Sequence, residues 1–312
     1  MDKKLNIGFV GLSHLGLTTS IAISSFKSVI VKAYDENESL INNLNNKIVS
    51  LKEPNLKNYL KKYFKRITFT NNNKDLKNCD IVYISQDVST DPKNKADLIK
   101  LKKTINNTIK VISNNAILVI HSQIQLDFMN SISWPKHKLF YHVETLVFGN
   151  AIERVISPER LIIGSYNVNK KIPHKLNKYL NLFKSKIIIM NYHSAELTKI
   201  SINLFLMSSI STTNQIAKLC ENSNADWSKI KEAVILDKRI GKYSYTDPGL
   251  GISGGNLERD LTAIIDLNNR YNISNNFFYS IENLSNERKK WIFNNLNNLN
   301  YKDNKNLRIG LL

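Results

Sequence analysis

Short apolar runs rich in β-branched residues alternate with helical stretches over the first 190 residues of the chain. This alternation is typical of parallel strands joined by crossover helices, because a parallel connection needs a long return segment. The runs that we interpret as strands cover residues 6–11, 29–34, 81–85, 116–121, 139–144, 161–164 and 187–190. The sequence therefore predicts an α/β domain over residues 1–190, built on a doubly wound parallel sheet.

The pattern changes beyond residue 190, where a stretch without proline or glycine runs from 194 to about 221. Leu197, Ile200, Leu204, Met207 and Ile210 recur at spacings of three and four, which indicates one long interdomain helix. We predict an all-helical dimerisation domain over residues 191–306. We expect a homodimer, because the apolar stripe exceeds what one short helical domain can bury. Residues 307–312 are expected to be the first strand of a C-terminal domain that the chain lacks.

Composition narrows the function classes. The 312 residues hold 42% hydrophobic residues but no run of about 18 apolar ones, and a strand is expected from Leu5, so we predict a cytoplasmic protein without a membrane span or signal peptide. Cys79 and Cys220, the two cysteines, lack metal-type spacing, so neither a disulfide framework nor a metal site is expected. The net charge of +18 comes from lysines scattered along the chain, which argues against a nucleic-acid partner and favours anionic small ligands.

A glycine motif follows the first predicted strand and opens a helix. It reads Gly11-Leu12-Ser13-His14-Leu15-Gly16, and Asp35 closes the second strand about twenty residues on. Glycines permit the tight turn, the helix N-terminus offers amides to a pyrophosphate, and the acid accepts hydrogen bonds from ribose hydroxyls, which favours NAD over NADP. Ser13 replaces the second glycine, so two readings stay open: a Rossmann-type NAD site, or a fold that persists around a degraded site.

Lys199 and Asn203 lie four residues apart on the predicted long helix, so their side chains share one face. Such a pair can direct a cation and an amide at one carbonyl or alkoxide oxygen. Taken alone the pair is nonspecific, because a chain rich in lysine and asparagine has many such pairs on solvated helix faces.

Several ordered segments resemble one enzyme family, the UDP-glucose/GDP-mannose dehydrogenases. Besides the glycine motif and the helix around Lys199, these are Glu53-Pro54-Asn55-Leu56, the segment 157–164, and Asp237-Lys238-Arg239-Ile240-Gly241 followed by Pro248-Gly249-Leu250-Gly251. The resemblance covers nearly the whole chain. It implies NAD as cofactor, a UDP- or GDP-sugar as substrate, and a homodimer.

The resemblance also implies which residues form the catalytic site. Lys199 and Asn203 match residues that hold the reacting oxygen, Glu144 one that assists water and proton transfer, and Asp260 one that orders the site. Asn256 stands where the family has its nucleophilic cysteine, and no register shift brings a cysteine there. An amide is not a useful nucleophile, whereas a thiolate adds readily to an aldehyde.

The remaining candidate residues contact cofactor or substrate by resemblance. The cofactor set is Gly11, Ser13, His14, Leu15, Gly16, Asp35, Val88 and Gln123. The substrate set is Arg239, which is expected to reach across a dimer interface, with Tyr245, Gly251 and Gly254. Three positions depart from the family pattern: Val88 and Gln123 replace threonines, and Phe148 replaces a glutamate.

Two functions from different classes follow. The first is an NAD-dependent oxidoreductase limited to one two-electron oxidation of a nucleotide-sugar hydroxyl, since that step needs no thiolate. A variant of it follows β-hydroxyacid dehydrogenases, which also place a lysine and an asparagine four apart on an interdomain helix. The second is a non-catalytic nucleotide-binding relative that acts as a dimer partner or regulator, or else a truncated gene remnant.

Overall fold

The computed structural model describes residues 4–91, 96–253 and 255–298, together with Gly310. The chain divides into two units, of which the first holds the residues up to 91 and those from 96 to 199. The second unit continues from Ile200. The division falls inside a helix that begins at Tyr192, and the boundary predicted at residue 190 stays a prediction.

One eight-stranded sheet organises the first unit. Its strands are β1 Leu5–Val10, β2 Val29–Tyr34, β3 Ile67–Thr70, β4 Ile81–Ile84, β5 Ile117–Ile120, β6 Leu139–His142, β7 Arg160–Ser165 and β8 Lys186–Asn191. They lie in the order β3-β2-β1-β4-β5-β6-β7-β8. All neighbours are parallel except β6 and β7, which pair antiparallel with Tyr141 opposite Gly164. The predicted α/β fold is confirmed, with an additional strand, β3, and a reversal at β7.

Helices cover both faces of this sheet. They are α1 His14–Ile23, α2 Glu38–Asn45, α3 Leu56–Tyr63, α4 Leu98–Ile109, α5 Ala151–Ile156 and α6 His174–Leu180. Strand side chains alternate between two cores: Ile81 and Tyr83 of β4 pack in the core that includes α1, and Val82 and Ile84 in the core that includes α4. The near-continuous apolar runs of the central strands follow from this burial on both sides.

Every regular element that the structure describes in the second unit is a helix. The long helix is α7 Tyr192–Glu221, and it is followed by α8 Trp227–Leu236, α9 Gly255–Arg270, α10 Asn276–Lys289 and α11 Trp291–Asn298. Among its described residues, one connected cluster of buried apolar side chains consists of Met207, Ile252, Leu261 and Ile281. The strand predicted over 307–312 lies outside the described residues except for Gly310, which is not in a regular element. Among the described helices, none is long and apolar enough to cross a bilayer.

Candidate functional site

The glycine turn between β1 and α1 has the conformation that the motif predicts. Gly11 has a φ of +86°, and a Cβ atom there would lie 2.4 Å from the Cβ of Gln86. A Cβ atom on Gly16 would lie 1.8 Å from the carbonyl oxygen of Gly11. Only glycine fits either position, since one needs left-handed backbone and the other close approach of helix to strand. The turn therefore directs the N-terminus of α1 toward the carboxyl edge of the sheet.

Asp35 follows β2 at the same edge and is held by two backbone amides. The amide of Leu12 donates to its Oδ2 at 2.7 Å, and the amide of Asn37 donates to its Oδ1 at 2.9 Å. The side chain is partly exposed, and each carboxylate oxygen can accept a second hydrogen bond. The Asp35 carboxylate therefore fits the ribose of a dinucleotide, and the two glycines allow the protein backbone to approach that dinucleotide closely.

A carboxylate that the sequence did not indicate lies at the N-terminus of α1. The amide of His14 donates to Asp87 Oδ2 at 3.1 Å, and the amide of Leu15 also donates to this carboxylate. Ser13 accepts a hydrogen bond from the Asp87 amide at 2.7 Å. Desolvation by the surrounding protein raises the pKa of Asp87. The hydrogen bonds of its carboxylate with Ser13 and with these two amides act in the opposite direction. Sequence reasoning missed Asp87; the signal that could have found it is an acid three residues after the end of β4.

His14, Glu53 and Phe148 form a second contact group beside this helix terminus. Glu53 is 1% exposed and lies 2.8 Å from His14 Nε2. It also accepts hydrogen bonds from the amides of Gly149 at 3.0 Å and Ala151 at 3.4 Å. The Phe148 ring lies 4.3 Å from the His14 ring, centroid to centroid, although Phe148 is 72% exposed. An aromatic ring thus covers His14 where the family resemblance predicted a second glutamate.

The other two predicted cofactor residues also follow strand ends. Val88, four residues after β4, is buried in the core that includes α4. Gln123, which follows β5, is partly exposed. Both lie at the carboxyl edge, where doubly wound sheets bind ligands.

The path of α7 brings Lys199 to Glu144. Because β8 runs antiparallel to β6, α7 starts near the amino end of β6, where the Tyr192 hydroxyl donates to the Leu139 carbonyl oxygen at 2.7 Å. Seven residues on, about 10 Å along the axis, Lys199 Nζ lies 3.0 Å from Glu144 Oε2, just beyond the carboxyl end of β6. Glu144 also accepts a hydrogen bond from the Leu146 amide. The pair is mostly buried, so its charges interact more strongly than on a surface.

Glu196 fixes this part of α7. It is fully buried and accepts hydrogen bonds from the amides of Asp127 at 2.9 Å and Met129 at 2.8 Å. Burial raises the pKa of Glu196, and the two amide hydrogen bonds act against that rise. Its role is positional, because it anchors the helix that carries Lys199 to the segment after β5.

Two stacked histidines, the buried His121 and the partly buried His142, lie beside the ion pair and were not predicted from the sequence. The rings of His121 and His142 are 4.9 Å apart with an interplanar angle of 26°. Burial and the nearby Lys199 charge lower the pKa of His121 to about 3. Burial and His121 also lower the pKa of His142, while Glu144 acts in the opposite direction. Both rings are therefore neutral at physiological pH.

Within the second unit, Asn203 and Asp260 form a buried hydrogen bond. Asn203 Nδ2 donates to Asp260 Oδ2 at 2.6 Å, and the guanidinium of Arg259 lies 3.8 Å from Asp260 Oδ1. Asn256 is exposed in the first turn of α9, and its Oδ1 accepts a hydrogen bond from Arg259 at 3.0 Å. At the position that the resemblance assigns to the family's nucleophile, an amide thus accepts a hydrogen bond from an arginine.

The predicted substrate residues lie at several places in the second unit. Arg239 is exposed and forms an ion pair with Asp237 at 2.6 Å. Tyr245 is exposed, and its carbonyl oxygen accepts a hydrogen bond from Thr213. Gly251 has a φ of +90° and packs against Ser285, where a Cβ atom would lie 2.6 Å from the Ser285 carbonyl oxygen. Gly254 lies outside the described residues. No group of histidine, cysteine and acidic side chains suited to a metal ion is present among the described residues.

Comparison with known proteins decides the family. The NAD-binding-domain model of the UDP-glucose/GDP-mannose dehydrogenase family matches residues 5–184, and the model of the family's central domain matches residues 193–287. The chain belongs to this family. Its members are NAD-dependent nucleotide-sugar dehydrogenases, and the cofactor of the first domain is NAD. The glycine turn and Asp35 described above fit that cofactor.

Individual relatives agree with this assignment. The chain is 30% identical over 286 residues to UDP-glucose 6-dehydrogenase of Rickettsia bellii (strain RML369-C), covering 88% of this chain and 64% of the relative. It is 30% identical over 276 residues to UDP-glucose 6-dehydrogenase TuaD of Bacillus subtilis (strain 168), covering 84% of this chain and 58% of that protein. The chain therefore spans less than two thirds of the length of either relative.

A solved structure supports the fold. A UDP-glucose dehydrogenase from Pyrobaculum islandicum superposes with a TM-score of 0.82 at 21% identity, covering 98% of this chain and 72% of the other. At this identity the likeness concerns the fold alone.

Proposed function

We propose that this chain oxidises a CH–OH group of a UDP- or GDP-sugar with NAD and stops after one two-electron step. The ion pair between Glu144 and Lys199 supports this proposal most directly. A cation and a carboxylate 3.0 Å apart, both mostly buried, can stabilise an alkoxide and accept a proton in one place. In the second unit, the buried Asn203–Asp260 hydrogen bond orients the amide that the family resemblance assigns to the reacting oxygen.

The proposed step balances without any further reactant. Glu144 accepts the hydroxyl proton of the sugar, and the positive charge of Lys199 stabilises the negative charge that develops on the oxygen. The carbon–oxygen double bond forms as the C–H bond breaks. Bound NAD supplies the hydride acceptor in this family. The products are a carbonyl compound, NADH and one proton.

The residue at position 256 sets the expected end point. Oxidation of an aldehyde to an acid requires an added nucleophile, either a thiolate or a water molecule that forms the hydrate. The Asn256 amide is a poor nucleophile, and its oxygen already accepts a hydrogen bond from Arg259. We therefore propose that the aldehyde or ketone is released.

A non-catalytic nucleotide-binding relative is the second candidate function. It is favoured by the Asp87 carboxylate at the N-terminus of α1 and by the Phe148 ring over His14. Both groups lie at the end of the sheet where the cofactor of a catalyst must bind.

The two candidates differ in NADH yield. The chain is incubated with NAD and either UDP-glucose or GDP-mannose, and NADH is measured with the product mass. One NADH per sugar with an aldehyde or ketone supports the proposal, whereas two NADH with a uronic acid contradicts it. Nucleotide-sugar binding without turnover favours the second candidate.

Lys199→Ala is expected to lower kcat by about 100- to 1,000-fold, the usual cost of removing an oxyanion-stabilising group. Lys218→Ala, on the exposed last turn of α7, is the matched control.

Replacement of Asn256 by cysteine tests the limit on oxidation. We expect Asn256→Cys to raise the NADH yield above one per sugar and to produce some acid, because a thiol at this position can capture the aldehyde. Asn256→Ser, which lacks a comparable nucleophile, is expected to stay at one. The rate gain is expected to be partial, because a displacement of about 1 Å between reacting groups can cost about a hundredfold. An unchanged yield in the cysteine variant would count against the role given to position 256.

A further inference from the structure

The N-terminus of α1 already holds an anion, and that anion belongs to the chain itself. Helix N-termini attract negative charge because their first amides are unpaired and the helix dipole is positive there. In this chain the amides of His14 and Leu15 donate to the Asp87 carboxylate. In a Rossmann-type site these amides face the pyrophosphate of the dinucleotide.

Ser13 holds Asp87 in this position by hydrogen bonds to its backbone amide and to its carboxylate. Its Oγ accepts a hydrogen bond from the Asp87 amide at 2.7 Å, and its hydroxyl also bonds with the Asp87 carboxylate. Ser13 is also the residue that replaces the second glycine of the dinucleotide motif. The departure at position 13 and the carboxylate at position 87 are therefore parts of one contact, although they are 74 positions apart.

A pyrophosphate and this carboxylate cannot use the same amides together. Each amide hydrogen makes one strong hydrogen bond, and two anions within a few ångströms repel each other. Asp87 is exposed enough to solvent for its side chain to turn away. Binding of the dinucleotide then costs the hydrogen bonds that Asp87 loses.

We propose that Asp87 determines the affinity of the NAD site, as an internal anion that Ser13 holds on the pyrophosphate-binding amides and that the cofactor must displace. The proposal predicts weak NAD(H) binding by the natural chain and tighter binding once the carboxylate is neutralised. The proposal concerns cofactor binding alone, so its test does not depend on the sugar chemistry proposed above.

The test measures NADH affinity of the 312-residue chain without sugar, by calorimetry or by the change in NADH fluorescence. Asp87→Asn is expected to lower the dissociation constant by about tenfold, because the substitution removes the charge but keeps the size of the side chain. Such a ratio corresponds to about 1.4 kcal/mol. Glu153→Gln removes one negative charge from an exposed position in α5 and is expected to leave the constant unchanged.

A second variant separates the internal anion from simple crowding by the Ser13 side chain. Ser13→Gly is expected to tighten NADH binding less than Asp87→Asn, since it loosens the carboxylate but does not remove it. Tightening by Ser13→Gly alone would show that crowding, and not Asp87, limits binding. The proposal would be overturned if the NADH dissociation constant of Asp87→Asn lay within twofold of that of the natural chain. It would also be overturned if this variant did not bind NADH at millimolar concentration. If thermal unfolding shows that Asp87→Asn is unfolded, Asp87→Ser takes its place with the same expected outcomes.

Discussion

Asp35 is held at the end of β2 by the amides of Leu12 and Asn37, so its carboxylate has a fixed position before any ligand arrives. A fixed carboxylate can accept hydrogen bonds from ribose hydroxyls at little entropic cost, and it repels a 2′-phosphate in the same place. We therefore expect Asp35 to discriminate between NADH and NADPH.

Asp35→Ala is expected to weaken NADH binding by about 1–3 kcal/mol, the typical loss on removing a charged hydrogen-bond partner. The variant is also expected to lose its preference for NADH over NADPH. Calorimetry with both cofactors measures the effect, and Asp97→Ala, which removes the N-cap carboxylate of α4, is the control. Equal affinity of the unaltered chain for the two cofactors would refute the role given to Asp35.

At the scale of single residues, the sequence predicted local backbone geometry but not the contacts between residues that are distant in sequence. The left-handed backbone at Gly11 and the location of Asp35 after β2 follow from local spacing, and the structure shows both. The contact between Ser13 and Asp87 and the stacking of His121 on His142 join residues that are distant in sequence. No local pattern reports such contacts. The roles of the site residues stay predictions.

The packing of α1 against β1 depends on the absence of a side chain at Gly16. We expect Gly16→Ala to lower the free energy of unfolding by about 1–3 kcal/mol, because the new Cβ collides with backbone that cannot move aside. Gly249→Ala adds a Cβ atom in open space and is expected to change stability by less than about 0.5 kcal/mol. Thermal or urea unfolding compares the two variants. Equal effects would mean that the turn relaxes around the added carbon.

The adjacency of β5 and β6 brings two neutral histidines together, the buried His121 and the partly buried His142. In the unfolded chain each histidine has a pKa near 6.5, whereas the pKa of His121 in the folded chain is about 3. The unfolded state therefore binds more protons in this range, so stability is full above about pH 6.5 and is lost as the pH falls toward 3. The slope reaches about 1.4 kcal/mol per pH unit for each such histidine.

Urea unfolding at several pH values checks this expectation. His142→Asn is expected to flatten the loss of stability between neutral pH and about pH 4, because it removes one histidine whose pKa is lowered in the folded chain. His137→Asn changes an exposed histidine and is expected to keep the original slope. The same slope in all three proteins would show that other groups dominate the acid response.

Helices and strands were predicted correctly where their patterns of apolar residues were long or strongly periodic. The start of α7 lies two residues before the predicted one, because helix ends carry weaker signals than helix interiors. Strand β3 was missed because it is a four-residue edge strand with alternating threonines, too short for its pattern to stand out. The reversal of β7 was missed because the residues of a strand do not record the direction of its partner.

The second unit leaves many large apolar side chains exposed around a small buried cluster. Those on its described helices and loops include Phe205, Leu219, Leu236, Tyr243, Tyr271, Phe277 and Phe293. Burial of apolar side chains by a partner is favourable, so the homodimer expected from the stripe on α7 stays our prediction.

Light scattering at micromolar concentration is expected to give the mass of two chains. Phe205→Glu places a charge on α7, where the side chain is 78% exposed, and is expected to shift the mass toward one chain. Ile99→Glu changes a side chain of similar exposure, 80%, in α4 of the first unit and is expected to leave the mass unchanged. A monomer in the unaltered protein would contradict the expectation.

The strand order of the first unit bears on how the chain folds as it leaves the ribosome. Every neighbouring pair in the described sheet except β1 and β4 is also consecutive in the sequence. Contacts between consecutive strands close shorter loops than the contact between β1 and β4, so each of them loses less chain entropy. The sheet can therefore grow strand by strand during synthesis, and the pairing of β4 with β1 is the one step in the described sheet that joins strands far apart in sequence.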